Sequence, residues 1–567
     1  MEQRAQWRQP AAGLPLSPAP AARSLLAHLR RQLGGPARLH VIVLFACVLG
    51  LNTADLSSLG AVASKLKPAL HLDDTQLGLL AAAPSLVGAL TTLPMGALAD
   101  HARRVRWLTV AVAAWAAGML LAGACADFEQ LLVVRLALGA VTAAAAPLVA
   151  SLVGDLFWPN ERGRIWGYIL AGELLGAGFG LIVCGNLASL SWRVALWVLA
   201  LPSLAVAAGL WKAIPEPARG GASRVPRGAS EIAGGGGEAG GGGEADGGEG
   251  GGGEGGGGEA GGGEADGRPG AGGRQDGEEQ APAARGAEVE RAVEQAGAKP
   301  RRELVLEHDP LQMSVWSAAR YVLRIRTNVA LVVASSLGYF FQAGVNTFGV
   351  VFVIANFRVS QPVATWLLAL IAAGALAGTV LGGRIADKLL ARGRASARML
   401  VGGGAFVLSA LLFVPGLLTR ELALALPVYV LAAAALGAPN APVDAARLDI
   451  VPGRLWGRAE AIRNVLRTLA VAAAPLLFGL LSDNLASAPA SATKGLGYRA
   501  STPGLRYSFL AMLAPMALGG LILLRGARRY TRDVATAMAS DENMERITAK
   551  PPRQRLAAAA QARPSQR

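Results

Sequence analysis

The chain has 567 residues, with 54 Lys and Arg against 39 Asp and Glu, a net charge of +15, and 52% hydrophobic but only 16% charged residues. A soluble globular protein is about 25% charged, and a disordered chain lacks this much apolar surface. With a mean hydropathy of +0.39, both classes are excluded, and a multi-pass membrane protein remains.

Residues 1–38 read as a basic cytoplasmic tail, too polar and too rich in Pro and Arg for a cleaved signal peptide. A membrane span needs about 20 apolar residues. Six such stretches follow at roughly 39–62, 75–99, 107–125, 130–153, 165–188 and 194–213, giving a first six-helix bundle over 39–214. Residues 215–325 form a linker. Its repeated Gly-Gly-Gly-Gly-Glu units within Gly234–Gly273 cannot bury a core and are expected to be flexible. Trp316 through Arg326, at its end, reads as a basic amphipathic segment beside the membrane. Six more stretches, at 328–354, 363–387, 398–418, 422–443, 462–482 and 505–525, build a second bundle over 326–526, and 527–567 is a second cytoplasmic tail.

The loops set orientation. His101–Arg106, Asn160–Arg164, Lys388–Arg398 and Gly453–Arg463 are Arg-rich, while Ala126–Gln130 is not. The positive-inside rule puts the Arg-rich loops and both termini in the cytoplasm of an even-span protein, with the plasma membrane as the expected site. The same rule accounts for the basic pI without nucleic acid, which would need basic residues clustered on a soluble module.

Enzyme chemistry finds no support. There is no Ser/His/Asp grouping, no metal-ligand spacing and no nucleotide loop. Cys47, Cys125 and Cys184 lie in apolar runs as small fillers. The Gly176–Gly180 cluster lies inside a span, where small residues let helices pack closely. No cofactor is expected. The partners expected are the lipid bilayer, a small-molecule solute and a proton, with the chain acting as a monomer.

The most specific signal is a repeat. Gly96-Ala-Leu-Ala-Asp100-His101 follows the second span and Gly383-Arg-Ile-Ala-Asp387-Lys388 the eighth, each before an Arg-rich turn. The glycine allows helices to approach, and the carboxylate accepts charge-assisted bonds from Arg or from a helix N-terminus. Two copies in register favour a conformational latch over a plain solvated ion pair. Arg104, Asp155 and Arg162 complete the expected cytoplasmic gate in the first half. Asp444 and Arg447, at i and i+3 with Asp449 nearby, are a gate or loop clamp in the second.

In this repeat the sequence resembles the major facilitator superfamily over nearly all of its apolar length. It is closer still to the Spinster-like transporters. That placement rests on Asn52-x-x-Asp55, Asp74-Thr75-Gln76-Leu77-Gly78-Leu79-Leu80, Arg135-x-x-x-Gly139 and Asp155-Leu156-Phe157 before Glu161-Arg162-Gly163-Arg164. Ser191-Trp192-Arg193, Pro215-Glu216-Pro217-Ala218-Arg219-Gly220 and Ala386-Asp387-Lys388-Leu389 add to it. The sequence departs from the pattern at His101 and Arg103, at Leu56 where the family often has Arg, and at Thr142 where Spinster-like proteins carry Glu. The last departure bears on proton coupling.

Charge inside a span is expensive and marks candidate sites. Asp55 lies about 24 Å into the first span and Arg135 about 8 Å into the fourth from the other side, at 1.5 Å per residue. Helices running oppositely across about 30 Å bring the two to similar depth. The resemblance implies that these spans are neighbours and that the pair takes part in proton-linked switching. A purely structural pair is the competing reading. Asn52 and Glu173 are candidate cavity residues, and Glu173 could simply hold water. Gln342 and Asn346 share a helix face beside Tyr339, Phe340, Phe341 and Phe348. They fit a solute wall and an ordinary interhelical hydrogen bond equally.

The expected protein is therefore an all-α membrane protein of about twelve helices in two pseudo-symmetric bundles, the fold of that superfamily. It is expected to move a small organic, amphipathic or lipophilic solute by proton-coupled alternating access. A non-transporting sensor or a passive channel on the same fold is the alternative.

Overall fold

The computed structural model describes residues 35–101, 103–157, 161–217, 287–308, 310, 313–485 and 502–549. The side chains of 92–101, 162–164, 287–288, 315, 457, 461, 502, 545 and 547–549 also lie outside the described residues. The first bundle comprises α1 (Pro36–Ala69), α2 (Asp74–His101), α3 (Arg104–Ala124), α4 (Phe128–Thr142), α5 (Ala145–Leu156), α6 (Arg162–Leu187) and α7 (Trp192–Ala213). Two short helices follow, α8 (Ala287–Gln295) and α9 (Val315–Arg324). The second bundle comprises α10 (Arg326–Phe357), α11 (Gln361–Ala391), α12 (Ala397–Leu418), α13 (Leu422–Gly437), α14 (Asn440–Ile450), α15 (Trp456–Leu485) and α16 (Thr502–Ala549).

Counting α4 with α5 and α13 with α14 as single spans gives twelve crossings. Among the described residues, eleven helices are long and apolar enough to cross a membrane, and the 28-residue α2 fills the remaining place. We call the side where α1 begins and α16 ends the terminal face, and the opposite side the distal face.

Local chemistry explains several boundaries. Pro36 occupies the first turn of α1 after Gly35, whose φ of 125° suits only glycine. Asp127 caps α4 by accepting from the Gln130 N–H at 2.9 Å, and Ser191 caps α7. Hydropathy alone predicts unbroken fourth and tenth spans at 130–153 and 422–443. Both are interrupted, at Ala143–Ala144 and Ala438–Pro439. Pro147 and Pro442 each lie four residues after the first residue of the break. Proline lacks the N–H and crowds the carbonyl four residues back, which breaks the ladder at matching places in the two halves.

The tenth span also continues to Ile450, so Asp444, Arg447 and Asp449 belong to a helix rather than to a loop. The twelfth, expected to end near 525, runs on to Ala549.

That extension orders part of the segment expected to be a flexible linker. In α8, Val289, Ala292 and Val293 form an apolar face and are buried. The Arg301 N–H donates to Thr536 Oγ1 at 2.9 Å and the Leu306 N–H to Ser540 Oγ at 3.1 Å, both on α16. Thr327 Oγ1 donates to Asp533 at 2.6 Å. The glycine-rich stretch lies outside the described residues, whereas 287–308 carries enough apolar and capping side chains to dock. In α9, Ala318 and Val322 are buried while Trp316 is exposed, as an amphipathic segment requires.

Within the first bundle, α1 and α6 meet backbone to backbone. A Cβ on Gly176 would fall 2.0 Å from the Gly50 carbonyl oxygen, and one on Gly180 2.4 Å from that of Ala54. The reading of this cluster as close packing holds for these two glycines, while Gly178 has open space beside it.

Candidate functional site

Asp55 of α1 and Arg135 of α4 are brought together. Arg135 Nη1 donates to Asp55 Oδ1 at 2.6 Å, and its Nε donates to the Leu80 carbonyl of α2 at 3.3 Å. The two residues are 1% and 3% exposed. A carboxylate and a guanidinium this far from water are held by each other, and removing one partner leaves an uncompensated charge. Asn52, one turn before Asp55, lines a pocket between α1, α3 and α4 with Val48, Trp115 and Thr142. The Thr142 hydroxyl donates to the Gly139 carbonyl at 3.2 Å.

The remaining expected cavity residues are distributed between the halves. Gln342 is exposed on α10 and lines a second pocket with Tyr339, Asn440 and Asp444. Asn346 is exposed, and its carbonyl oxygen touches the other half: a Cβ on Gly60 would fall 1.8 Å from it. Glu173 on α6 is partly exposed, and its backbone carbonyl accepts from Thr53 Oγ1 at 2.6 Å.

At the terminal face, Arg104 is buried and tied to several elements at once. It pairs with Asp155, donates to Ser151 Oγ at 3.0 Å and to the Pro217 carbonyl at 2.9 Å, and its N–H donates to Glu216 at 2.9 Å. The second half repeats this arrangement. Arg398, at the start of α12, pairs with Asp449, one residue before the end of α14, and Tyr530 donates to the same carboxylate. Arg104 begins α3, and Asp155 stands one residue before the end of α5. Arg38 pairs with Glu161 and lies 5.4 Å from the Phe157 ring centroid. Sequence reading singles out neither Arg38 nor Arg398, the latter being only the last residue of an Arg-rich loop.

The latch carboxylates are placed differently. Asp387 and Lys388 are exposed, and among the described residues neither has an ion pair. Gly383 is near Ala441, but it is Gly382 that meets the backbone of the tenth span, at Ala438. The side chains of Asp100 and Arg162 and the surroundings of Gly96 lie outside the described residues. Arg447 contacts Asp444 at 3.4 Å and Glu460 at 2.5 Å. Arg463 pairs with Glu460 and reaches Asp444 at 3.4 Å. Asp444 and Arg447 thus belong to a four-membered network between α14 and α15.

The distal face holds what sequence reading missed. Asp483 of α15 accepts from the Asp74 N–H at 3.2 Å, the Thr75 N–H at 2.8 Å and Thr75 Oγ1 at 2.5 Å. It therefore caps α2 from the opposite bundle, where a carboxylate suits the free N–H groups and the helix dipole. Ser482 donates to Asp74 at 2.6 Å, and Lys67 pairs with Asp74. Ser64 of α1 bonds Gln361 of α11, and Gln361 Nε2 donates to the Ala61 carbonyl at 2.6 Å. Gly185 packs on Thr365 and Gly78 on Pro475. These contacts between the halves all lie in the distal halves of their helices.

Comparison with known proteins agrees with the fold. The family model described as Major Facilitator Superfamily matches residues 45–475. A solved bacterial homologue of the human lysosomal transporter Spinster, inward-facing and unoccupied, superposes with a TM-score of 0.63 at 19% identity, covering 88% of this chain and 98% of that one. An uncharacterized transporter, YgaY, of Escherichia coli O157:H7 is 27% identical over 180 residues, 31% of this chain and 45% of that protein. The hexuronate transporter of Bacillus subtilis (strain 168) is 27% identical over 175 residues, 30% of this chain and 40% of that protein. The matched stretch thus spans less than half the length of either relative.

Proposed function

This chain belongs to the Major Facilitator Superfamily, and we propose that it is a secondary active transporter moving a small organic, amphipathic or lipophilic solute by proton-coupled alternating access. One observation carries the reading. A buried Asp55–Arg135 ion pair lies inside a bundle whose distal ends are clamped onto the other half. A carboxylate that can exchange its guanidinium partner for a proton changes the charge of the core, and core charge sets which packing of the two halves is favoured.

With the terminal face in the cytoplasm of the plasma membrane, as the Arg-rich loops favour, the distal clamp corresponds to an inward-facing state. Asp387, exposed and without an ion pair among the described residues, fits a latch released in that state. The Arg104 and Arg398 hubs anchor the ends of each bundle while the bundles rock.

The test is flux in sealed vesicles carrying the full chain and an internal pH dye. Hexuronate, the solute named for the Bacillus subtilis relative, and a short single-chain amphipath are added outside under an imposed pH gradient. Solute-dependent proton movement is expected, absent from empty vesicles and from Asp55→Asn. Solute binding without flux would make the chain a sensor, and conductance without coupled movement a channel.

A further inference from the structure

Trp115 stands in the middle of α3, eleven residues beyond Arg104 and about 17 Å along the helix at 1.5 Å per residue. It is 3% exposed, and among the described residues its indole Nε1 has no hydrogen-bond partner. A buried tryptophan N–H normally finds an acceptor, and at mid-membrane depth the hydrocarbon offers none. The second half supplies a comparison. Eleven residues beyond Arg398 stands Ser409, whose Oγ donates to the Ala432 carbonyl at 2.9 Å. The polar side chain at this point of the repeat is satisfied in one bundle and left open in the other.

The open donor belongs to a pocket. Trp115 lines it together with Val48, Leu51 and Asn52 of α1, Val112 of α3 and Thr142 of α4. Its volume is about 20 Å³, and about 10–15 Å³ is enough to hold one water-sized group. Asn52 and Thr142 are partly exposed, which leaves the pocket accessible from their side. Every residue that lines it belongs to the first bundle, and none is ionisable.

The three polar groups there have complementary capacities. The Trp115 indole N–H can only donate. The Thr142 hydroxyl already donates to the Gly139 carbonyl at 3.2 Å, so its oxygen is left to accept. The Asn52 amide, whose side chain has no hydrogen bond among the described residues, can do either.

We propose that this pocket binds the hydroxyl end of an uncharged alcohol. The ligand oxygen accepts from Trp115 Nε1 and donates to Thr142 Oγ1 or Asn52 Oδ1, while the first carbons lie against Val48, Leu51 and Val112. A hydroxyl both accepts and donates, and it fits the volume. A carboxylate or an ammonium does not fit, because no lining residue carries a counter-charge and burying a lone ion costs far more than burying a hydroxyl. The site lies within one bundle, and its occupation does not require transport. An occupant ties α1, α3 and α4 together one turn from Asp55.

The experiment uses the full chain in phosphatidylcholine nanodiscs, free of hydroxyl-bearing detergent, with isotopically labelled tryptophan. The chain has 11 Trp, so the indole N–H region of a proton–nitrogen NMR spectrum is sparse. Trp115→Phe, which keeps an aromatic wall, identifies the Trp115 peak by its loss. Hexanol, methyl pentyl ether, hexanoate and hexylammonium are the probes. Hexanol should move the Trp115 indole proton downfield, saturably. The ether accepts but cannot donate, and should bind about threefold or more weaker, as one uncharged hydrogen bond is worth. The two ions should leave the peak in place.

Thr142→Val, equal in shape, and Asn52→Ala should each weaken hexanol about threefold or more for the same reason. The proposal is overturned if no probe moves the Trp115 peak, which would make the pocket a water site only. It is overturned equally if an ion moves the peak as hexanol does, if the ether binds as well as the alcohol, or if both variants titrate like the parent. Should a variant not fold, the order of the four probes on the parent chain still decides. A saturable hexanol response in a chain without flux would remove the transporter reading and leave the pocket standing, and flux without a hexanol response would do the reverse.

Discussion

The Nη1 atom of Arg135 lies 2.6 Å from Oδ1 of Asp55, and both side chains are shut away from solvent. An ion pair in that position is costly to form and costly to break. Replacing one partner leaves the other charged in an apolar surround, at about 3–5 kcal/mol.

Asp55→Asn should therefore abolish solute movement driven by a pH gradient and lower the melting temperature in detergent. Adding Arg135→Gln to Asp55→Asn should recover part of the melting temperature, because no lone guanidinium remains, but not the coupled flux. Vesicle uptake at paired inner and outer pH values, with thermal unfolding of the same preparations, reads both. Undiminished pH-driven uptake in the single variant would remove Asp55 from the coupling role.

Asp483→Ala should loosen the distal clamp. It removes the acceptor for two backbone N–H groups and one hydroxyl at the start of α2, and loss of a cap costs about 1–2 kcal/mol. That is enough to shift a two-state population several-fold. Single cysteines placed near the distal ends of α1 and α10 should label faster with an impermeant maleimide in this variant. Unchanged labelling would show that the apolar contacts alone keep the face shut.

Gly60→Val should act on the same closure by steric means. Any Cβ there collides with the Asn346 backbone of the other half, and backbone cannot swing aside. Distal labelling should rise, while the melting temperature falls by less than for Gly176→Val, whose collision with Gly50 lies inside one bundle. The ratio of labelling change to stability change separates the two.

Arg104→Ala and Arg398→Ala should each destabilise by several kcal/mol, since each leaves a buried or half-buried carboxylate without its cation. Asp387→Ala should leave stability within about 0.5 kcal/mol, as an exposed, unpaired carboxylate would, and yet change cysteine labelling at the terminal face if the latch closes in another state. No change in labelling would reduce the repeated motif to a structural turn.

Deleting Gly234–Gly273 should leave flux and melting unchanged. Deleting 287–308 should lower the melting temperature, because α8 buries an apolar face and the Arg301 and Leu306 N–H groups bond α16. Loss of flux in the shorter deletion, in protein that still melts normally, would show that the glycine tract does more than connect.

Properties that repeat along the chain were determined by the sequence itself. Span number, the division into two halves, the all-helical class and the depth match of Asp55 with Arg135 follow from hydropathy and from a fixed rise per residue. Both helix breaks were also present in the sequence, as Pro147 and Pro442, but an apolar window reads through a proline. Only the tertiary structure decided which distant groups meet. Asp483 caps a helix whose first residues lie 408 and 409 positions earlier. Arg398 and Tyr530 meet on the Asp449 carboxylate from three different helices in all. No local period encodes such encounters, because they depend on how whole bundles lean on one another, and that is settled by packing between surfaces made of residues hundreds of positions apart.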